Sequence, residues 1–191
     1  MPYQVSHKSK NDVRKEILTL LRNQKEEDRL KKSGKIKRKL FSMPEFKRAK
    51  VILFYASFDG EVDTFAMMRQ AQQLKKKIAL PVIFKDKKKI LPRLIKHLAD
   101  GLHSDVYGIK APRPEYSQAV SLDRLDLVVV PGIAFDKDKC RLGRGHGYYD
   151  RFLAKLPPET PTVGLAFDFQ IVDRLPSREQ HDFPVSRVIF N

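Results

Sequence analysis

The run Leu125-Asp126-Leu127-Val128-Val129-Val130 restricts this chain's possible folds more than any other segment. A strand with one wet face alternates apolar and polar side chains, whereas an unbroken apolar strand is covered on both faces. Val51-Ile52-Leu53-Phe54-Tyr55 has the same character, and further strands are expected over 78–83, 162–167 and 185–190. Helical patterns lie between them. Val13, Ile17, Leu20 and Leu21 share one face of a helix over 10–24. A second helix is expected over 26–41, with Pro44 marking its end. Thr64 is placed to cap a third, through Phe65, Met68, Ala71 and Leu74. A fourth runs from Tyr148 to Leu156 and stops at Pro157-Pro158. Doubly buried strands alternating with helices define an α/β fold. The expectation is one domain over 1–191, an open, largely parallel sheet with helices on both faces in a Rossmann-like three-layer arrangement. Residues 84–120, with Pro92, Pro112 and Pro114, break the pattern and read as an irregular insertion or lid.

Composition narrows the class of function. A chain of 191 residues buries roughly 70% of the surface its unfolded form exposes, so it needs no staples. Cys140 is the single cysteine, which excludes an internal disulfide and a multi-cysteine metal site. A reducing compartment fits. No apolar run approaches the ~18 residues needed to span a bilayer. Met1 to Lys15 lacks the apolar segment of a signal peptide, so no membrane partner and a cytoplasmic location are expected, with the protein a monomer. The net charge of +15 is concentrated in two blocks: residues 1–50 carry 16 Lys+Arg against 6 Asp+Glu, and residues 75–97 carry 9 against 1. Such a field attracts nucleic acid, acidic surfaces or small polyanions. No aromatic residues are interleaved with the lysine runs, as a stacking platform for nucleic acid would require, so no specific nucleic-acid partner is expected. Lys85–Lys89 reads equally well as a solvated loop tip.

The densest constellation follows the Leu125–Val130 strand: Arg141-Leu142-Gly143-Arg144-Gly145-His146-Gly147-Tyr148-Tyr149-Asp150-Arg151. In open parallel sheets, ligands bind beyond the carboxyl ends of the strands. Three glycines at alternate positions let backbone N–H groups approach an anion closely. Arg141 and Arg144 add fork-shaped donors suited to phosphate, and the helix that follows adds its dipole. No G-x-x-x-x-G-K-[ST] loop is present, and G-x-G-x-G after a long loop is not a dinucleotide turn. The alternative is a glycine-rich surface turn with solvating arginines. A carboxylate beside phosphates, such as Asp150, is favourable when a cation such as Mg²⁺ lies between. Asp182 can reach the same sheet edge as a second ligand. The competing reading makes Asp150 a first-turn helix charge and Asp182 a turn residue.

The string PGIAFD…RLGRGHGYYDRFL resembles the signature of the 5-formyltetrahydrofolate cyclo-ligase (5,10-methenyltetrahydrofolate synthetase) family. The resemblance covers almost the whole chain. It includes Lys10 and Arg14 in K-x-x-x-R spacing, Glu61-Val62-Asp63-Thr64, Tyr107-Gly108-Ile109 and Pro112, and Gly164 to Phe167, Gln170, Leu175-Pro176 and His181-Asp182. It implies that Lys10, Arg14 and the loop Arg141, Leu142, Gly143, Arg144, Gly145, His146, Gly147, Tyr148 and Tyr149 bind ATP. Arg144, Gly145, His146, Gly147 and Tyr148 would also border the folate, with Arg144 and Tyr148 acting at the reacting atoms. Glu61 would contact the pterin, and Asp150 and Asp182 would hold Mg²⁺. Tyr107 is a further stacking residue by the same reasoning.

The implied reaction is ATP- and Mg²⁺-dependent conversion of 5-formyltetrahydrofolate to 5,10-methenyltetrahydrofolate, with ADP and phosphate released through a phosphorylated formyl group. Phosphoryl transfer needs positioning and charge stabilisation more than a covalent nucleophile, and neither that chemistry nor the motif requires the Cys140 thiol. A sugar-phosphate isomerase on a related sheet would use the same cradle without ATP.

Overall fold

A computed structural model describes residues 8–84, 88–98, 101–104, 109–176 and 183–191. The first helix, α1 (Lys10–Arg22), starts at a reciprocal cap: Ser9 Oγ accepts from the Asp12 N–H, and Asp12 accepts from the Ser9 N–H at 3.0 Å. Val13, Ile17 and Leu21, four residues apart, are buried on its inner face. In α2 (Glu26–Ser42), Glu26, Glu27 and Asp28 in the first turn and Lys39 in the last both complement the helix dipole. The short α3 (Pro44–Arg48) begins on a proline, whose missing N–H costs nothing there. In α4 (Thr64–Gln73) the cap is Asp63, which accepts from the Ala66 N–H at 3.2 Å, and not Thr64 as the sequence suggests. Thr64 instead donates its hydroxyl to the Tyr55 carbonyl at 2.6 Å and is fully buried.

The strands are β1 (Val51–Leu53), β2 (Lys77–Phe84), β3 (Lys89–Ile95), β4 (Leu102–Ser104), β5 (Lys110–Pro112), β6 (Ser117–Ala119) and β7 (Leu127–Val130), followed by β8 (Ala134–Asp136), β9 (Arg141–Leu142), β10 (Thr162–Ala166), β11 (Ile171–Val172) and β12 (Arg187–Phe190), with α5 (Tyr148–Leu153) between β9 and β10. Seven of them form one sheet in the order β12-β10-β7-β1-β2-β3-β6. The four pairings from β12 to β2 are parallel, and β2–β3 and β3–β6 are antiparallel. Both faces are covered, as the unbroken apolar runs require. Ile52, Ile78, Leu127, Val129, Val163 and Leu165 pack with α1 to α4, while Leu53, Ala79, Val128, Val130 and Ala166 pack with Phe152 and Leu153 of α5. Each fully buried Ile, Leu, Val or Phe side chain among them contributes about 1.5–3 kcal/mol, and the alanines less. Among the described residues no helix is long and apolar enough to cross a membrane.

The described residues within 84–120 are more regular than their prolines suggest. Pro81 and Pro92 stand opposite each other between β2 and β3. The Pro92 carbonyl accepts from the Val120 N–H at 3.1 Å on the far side, while the Ala79 carbonyl accepts from Phe54 on the β1 side. The backbones at both prolines therefore face away from this ladder, and their missing donors cost it no hydrogen bond. β1 pairs with only the first three residues of β2. From Leu80 onward β3 is the strand that pairs with β2 among the described residues, and the hairpin runs on past the end of β1.

Candidate functional site

The sheet order places β2 on one side of β1 and β7 on the other. Chain connections diverge there, and the loops leaving the carboxyl ends of β1 and β7 enclose a crevice of the kind that binds ligands in open α/β sheets. The β1 loop delivers Glu61 and the β7 loop delivers Arg144.

The turn before Glu61 is fixed by α1 and α2. Asp59 and Gly60 both have positive φ, at +54° and +80°. Gly60 is pressed so closely on α1 that a Cβ would lie 2.1 Å from the Leu21 carbonyl oxygen, so no other residue fits. Arg22 holds both Asp59 oxygens, at 2.7 and 2.9 Å. Gln24 donates to the Gly60 carbonyl at 3.2 Å and Arg29 to the Glu61 carbonyl at 2.8 Å. Glu61 is thereby turned inward and left 7% exposed. Its Oε2 accepts from the Phe58 N–H at 3.3 Å and its Oε1 from Arg144 at 3.2 Å. Burial raises the Glu61 carboxyl to about 7, against the opposing pull of Arg144 and the Phe58 N–H. Tyr55 and Tyr149 are also raised, chiefly by burial, with the Glu61 charge adding to both. The Tyr149 hydroxyl is buried without a hydrogen-bond partner among the described residues.

Arg144 sets its guanidinium carbon 4.1 Å from the Phe58 ring centre and also reaches Asp59 at 3.4 Å. Arg14 joins from α1, donating Nε to the Gly143 carbonyl at 2.9 Å. Lys10 opens the same helix one turn earlier. Arg141 is buried; it pairs with Asp150 at 2.8 Å and lies 5.4 Å from the Tyr149 ring. The Leu142 side chain belongs to the core, and its carbonyl accepts from the Ile133 N–H at 2.7 Å. Gly145 and Gly147 have φ of +99° and +61°, and His146 stacks on Tyr148 at 5.9 Å. The helix α5 is six residues long, shorter than the 148–156 expected.

The structure thus brings Arg14, Glu61 and the loop Arg141–Tyr149 to one edge of the sheet. Asp182, Tyr107 and Lys85 to Lys87 lie outside the described residues. Among the described residues no three acidic, histidine or cysteine side chains cluster as a ready-made metal site. Asp150 commits Oδ1 to Arg141 and has one oxygen left. That donor set suits an ion that takes one or two carboxylates and completes its shell with phosphate oxygens and water, which is how Mg²⁺ is usually held. Sequence reasoning missed Phe58, Asp59 and Arg22. The Asp-Gly pair at 59–60 is a turn signal, but nothing in it announces that the turn carries Arg144.

Residues 6–191 match the 5-formyltetrahydrofolate cyclo-ligase family. The 5-formyltetrahydrofolate cyclo-ligase of Escherichia coli K12 is 33% identical over 152 residues, 79% of this chain and 83% of that protein. The Haemophilus influenzae protein of the same name is 35% identical over 76% of this chain and 78% of its own. The Aquifex aeolicus 5,10-methenyltetrahydrofolate synthetase structure superposes with a TM-score of 0.82 at 33% identity, covering 95% of this chain and 89% of the other. With the match spanning nearly every residue that builds the crevice, the chain belongs to the 5-formyltetrahydrofolate cyclo-ligase family of enzymes.

Proposed function

We propose that the protein converts 5-formyltetrahydrofolate to 5,10-methenyltetrahydrofolate in an ATP- and Mg²⁺-dependent ring closure that releases ADP and phosphate. The observation that carries this reading is the 3.2 Å contact between Glu61 and Arg144 at the switch point of the sheet. A carboxylate able to accept paired hydrogen bonds from an amino-pyrimidine edge stands against an arginine of a glycine-rich anion loop. One ligand would be a pterin and the other a polyphosphate, with their reacting ends meeting between the two residues.

In this mechanism the formyl oxygen attacks the γ-phosphorus of ATP. The bond to the β–γ bridging oxygen breaks, and ADP leaves with the electron pair. The resulting imino-phosphate has an activated formyl carbon. The anilino nitrogen adds to that carbon and loses its proton; the carbon–oxygen bond then breaks, and phosphate departs with the oxygen. Arg144 can exchange a carboxylate oxygen for a phosphoryl oxygen while it stays on the Phe58 ring, and so stabilises the charge in transfer. Loop amides, Lys10, Arg14 and Arg141 would surround the ATP phosphates. His146 and Tyr148 would border both substrates. Asp150, with Asp182, would hold Mg²⁺, which when bound neutralises phosphate charge. Cys140, buried and the single cysteine of the chain, suits a reducing cytoplasm.

The test is a spectrophotometric assay with 5-formyltetrahydrofolate, ATP or Mg²⁺ being omitted in turn. The conjugated methenyl product is expected only when both are present. A folded, nucleotide-binding protein that makes no product would discard the folate assignment.

A further inference from the structure

The glycine loop is gripped from outside by arginines on two separate elements. Arg14 on α1 takes the Gly143 carbonyl. Arg151 on α5 takes the His146 carbonyl at 2.8 Å through Nη2. The Nε of Arg151 donates at 3.1 Å to the Lys88 carbonyl, at the tip of the β2–β3 hairpin where it overruns β1. The guanidinium stands 5.6 Å from the Tyr148 ring centre. A Cβ on Gly147 would lie 2.8 Å from Arg151 Nη1, so the loop passes close against this side chain.

These contacts have a geometric consequence. In a planar trans peptide the C=O and the following N–H point in opposite directions. With the His146 carbonyl held on Arg151, the Gly147 N–H is turned the other way. We propose that Arg151 is a positioning residue of the loop: one guanidinium fork holds the carbonyls of His146 and Lys88, sets the direction of the Gly147 amide and ties the loop to the β2–β3 hairpin. Its Nε and Nη2 are engaged by backbone carbonyls, so through these two nitrogens it acts on the loop. A lysine could not replace it, because a point donor lacks the rigid fork that spans two carbonyls. The inference rests on the reading of this loop as a phosphate cradle.

The test compares Arg151→Ala and Arg151→Lys with the parent protein in two measurements. In ¹⁵N-labelled, ligand-free protein, the amide signals of Gly145 and Gly147 move or broaden in both variants while those of β7 and β10 stay in place. In titrations with ATP and Mg²⁺, Arg151→Ala binds about tenfold more weakly, and Arg151→Lys recovers less than half of that loss. The rate at saturating ATP stays within about threefold of the parent, so the effect falls on KM more than on kcat. An unmoved Gly147 amide, or ATP affinity within about twofold of the parent, overturns the proposal. So does an equal loss of ATP and folate affinity with shifts spread across β7 and β10, which would mark a general folding defect. Should the parent bind no ATP, the cradle reading fails, and the ligand-free amide signals alone decide whether Arg151 positions the loop.

Discussion

Two buried carboxylates follow strands of two different sheets, Glu61 after β1 and Asp136 at the end of β8, and they are spent differently. Asp136, at the end of β8, is 3% exposed. It accepts from the N–H groups of Asp138 at 3.0 Å and Cys140 at 2.9 Å, and from that of Leu175 at 3.4 Å. Glu61 is buried to a similar degree, yet it accepts one backbone N–H and one guanidinium. A carboxylate offers about four acceptor sites. Asp136 spends most of its capacity on ordering its own loop. Glu61 keeps capacity in reserve inside a crevice, at the cost of a raised pKa. Burial alone therefore does not distinguish a structural acid from a binding one; the use of its lone pairs does.

The sharpest way to break this contrast is to neutralise each acid in turn. Glu61→Gln is expected to lower kcat/KM for 5-formyltetrahydrofolate about a hundredfold, the worth of paired hydrogen bonds to a charged group. Its melting temperature at pH 8 should match or exceed the parent's. The sign follows from linkage. Folded Glu61 has its pKa raised from 4.5 to about 7, so its contribution to stability is present below the unfolded value and is lost as pH rises through the folded one. At pH 8 the buried charge therefore costs stability, at most about 3 kcal/mol, and the amide relieves it. A variant that melts lower and turns over normally would remove Glu61 from the folate site.

Asp136→Asn should behave in the opposite way. Its new amide donor would face an N–H that now has an acceptor, and chemical denaturation should report a loss of about 2 kcal/mol. The folate KM of the folded fraction should stay at the parent value. A large rise in KM with unchanged stability would reverse the two roles.

The smallest effect is the pH dependence of substrate affinity. The bound pterin edge needs the ionised carboxylate, whereas the free protein holds it half-protonated at about pH 7. Folate affinity should therefore weaken about tenfold per unit as pH falls below 7 and level off above it. An affinity flat between pH 5.5 and 7 would show that Glu61 binds as the neutral acid or not at all.

The parts of this architecture written in local pattern were legible in the sequence. Unbroken apolar runs gave β1 and β7, and four-residue spacing gave the buried face of α1. The glycine-arginine string marked the loop that turns with positive φ at Gly145 and Gly147 because its residues are adjacent in sequence. Other features depend on distant partners. Asp63 caps α4 in place of Thr64 because the Thr64 hydroxyl finds the Tyr55 carbonyl, nine residues back. The antiparallel extension by β3 and β6 was hidden because prolines argue against strands unless their missing donors face away from the ladder, as those of Pro81 and Pro92 face away from the β2–β3 pairing. The hold of Arg22 on Asp59, and that of Arg151 on Lys88, join residues 37 and 63 positions apart through features that no short motif encodes.

The grip of Arg14 on Gly143 spans 129 residues, and the meeting of Arg144 with Glu61 spans 83. Contacts so distant in sequence carry a large loop-closure cost and are intrinsically slow to form. The first helix emerges from the ribosome long before the loop it braces has been synthesised. Helical signal can return early in refolding, but the crevice is whole only when the last third of the chain has closed back onto the first, so under the proposed function competence to bind nucleotide is an indicator of completed folding rather than of any one element's formation.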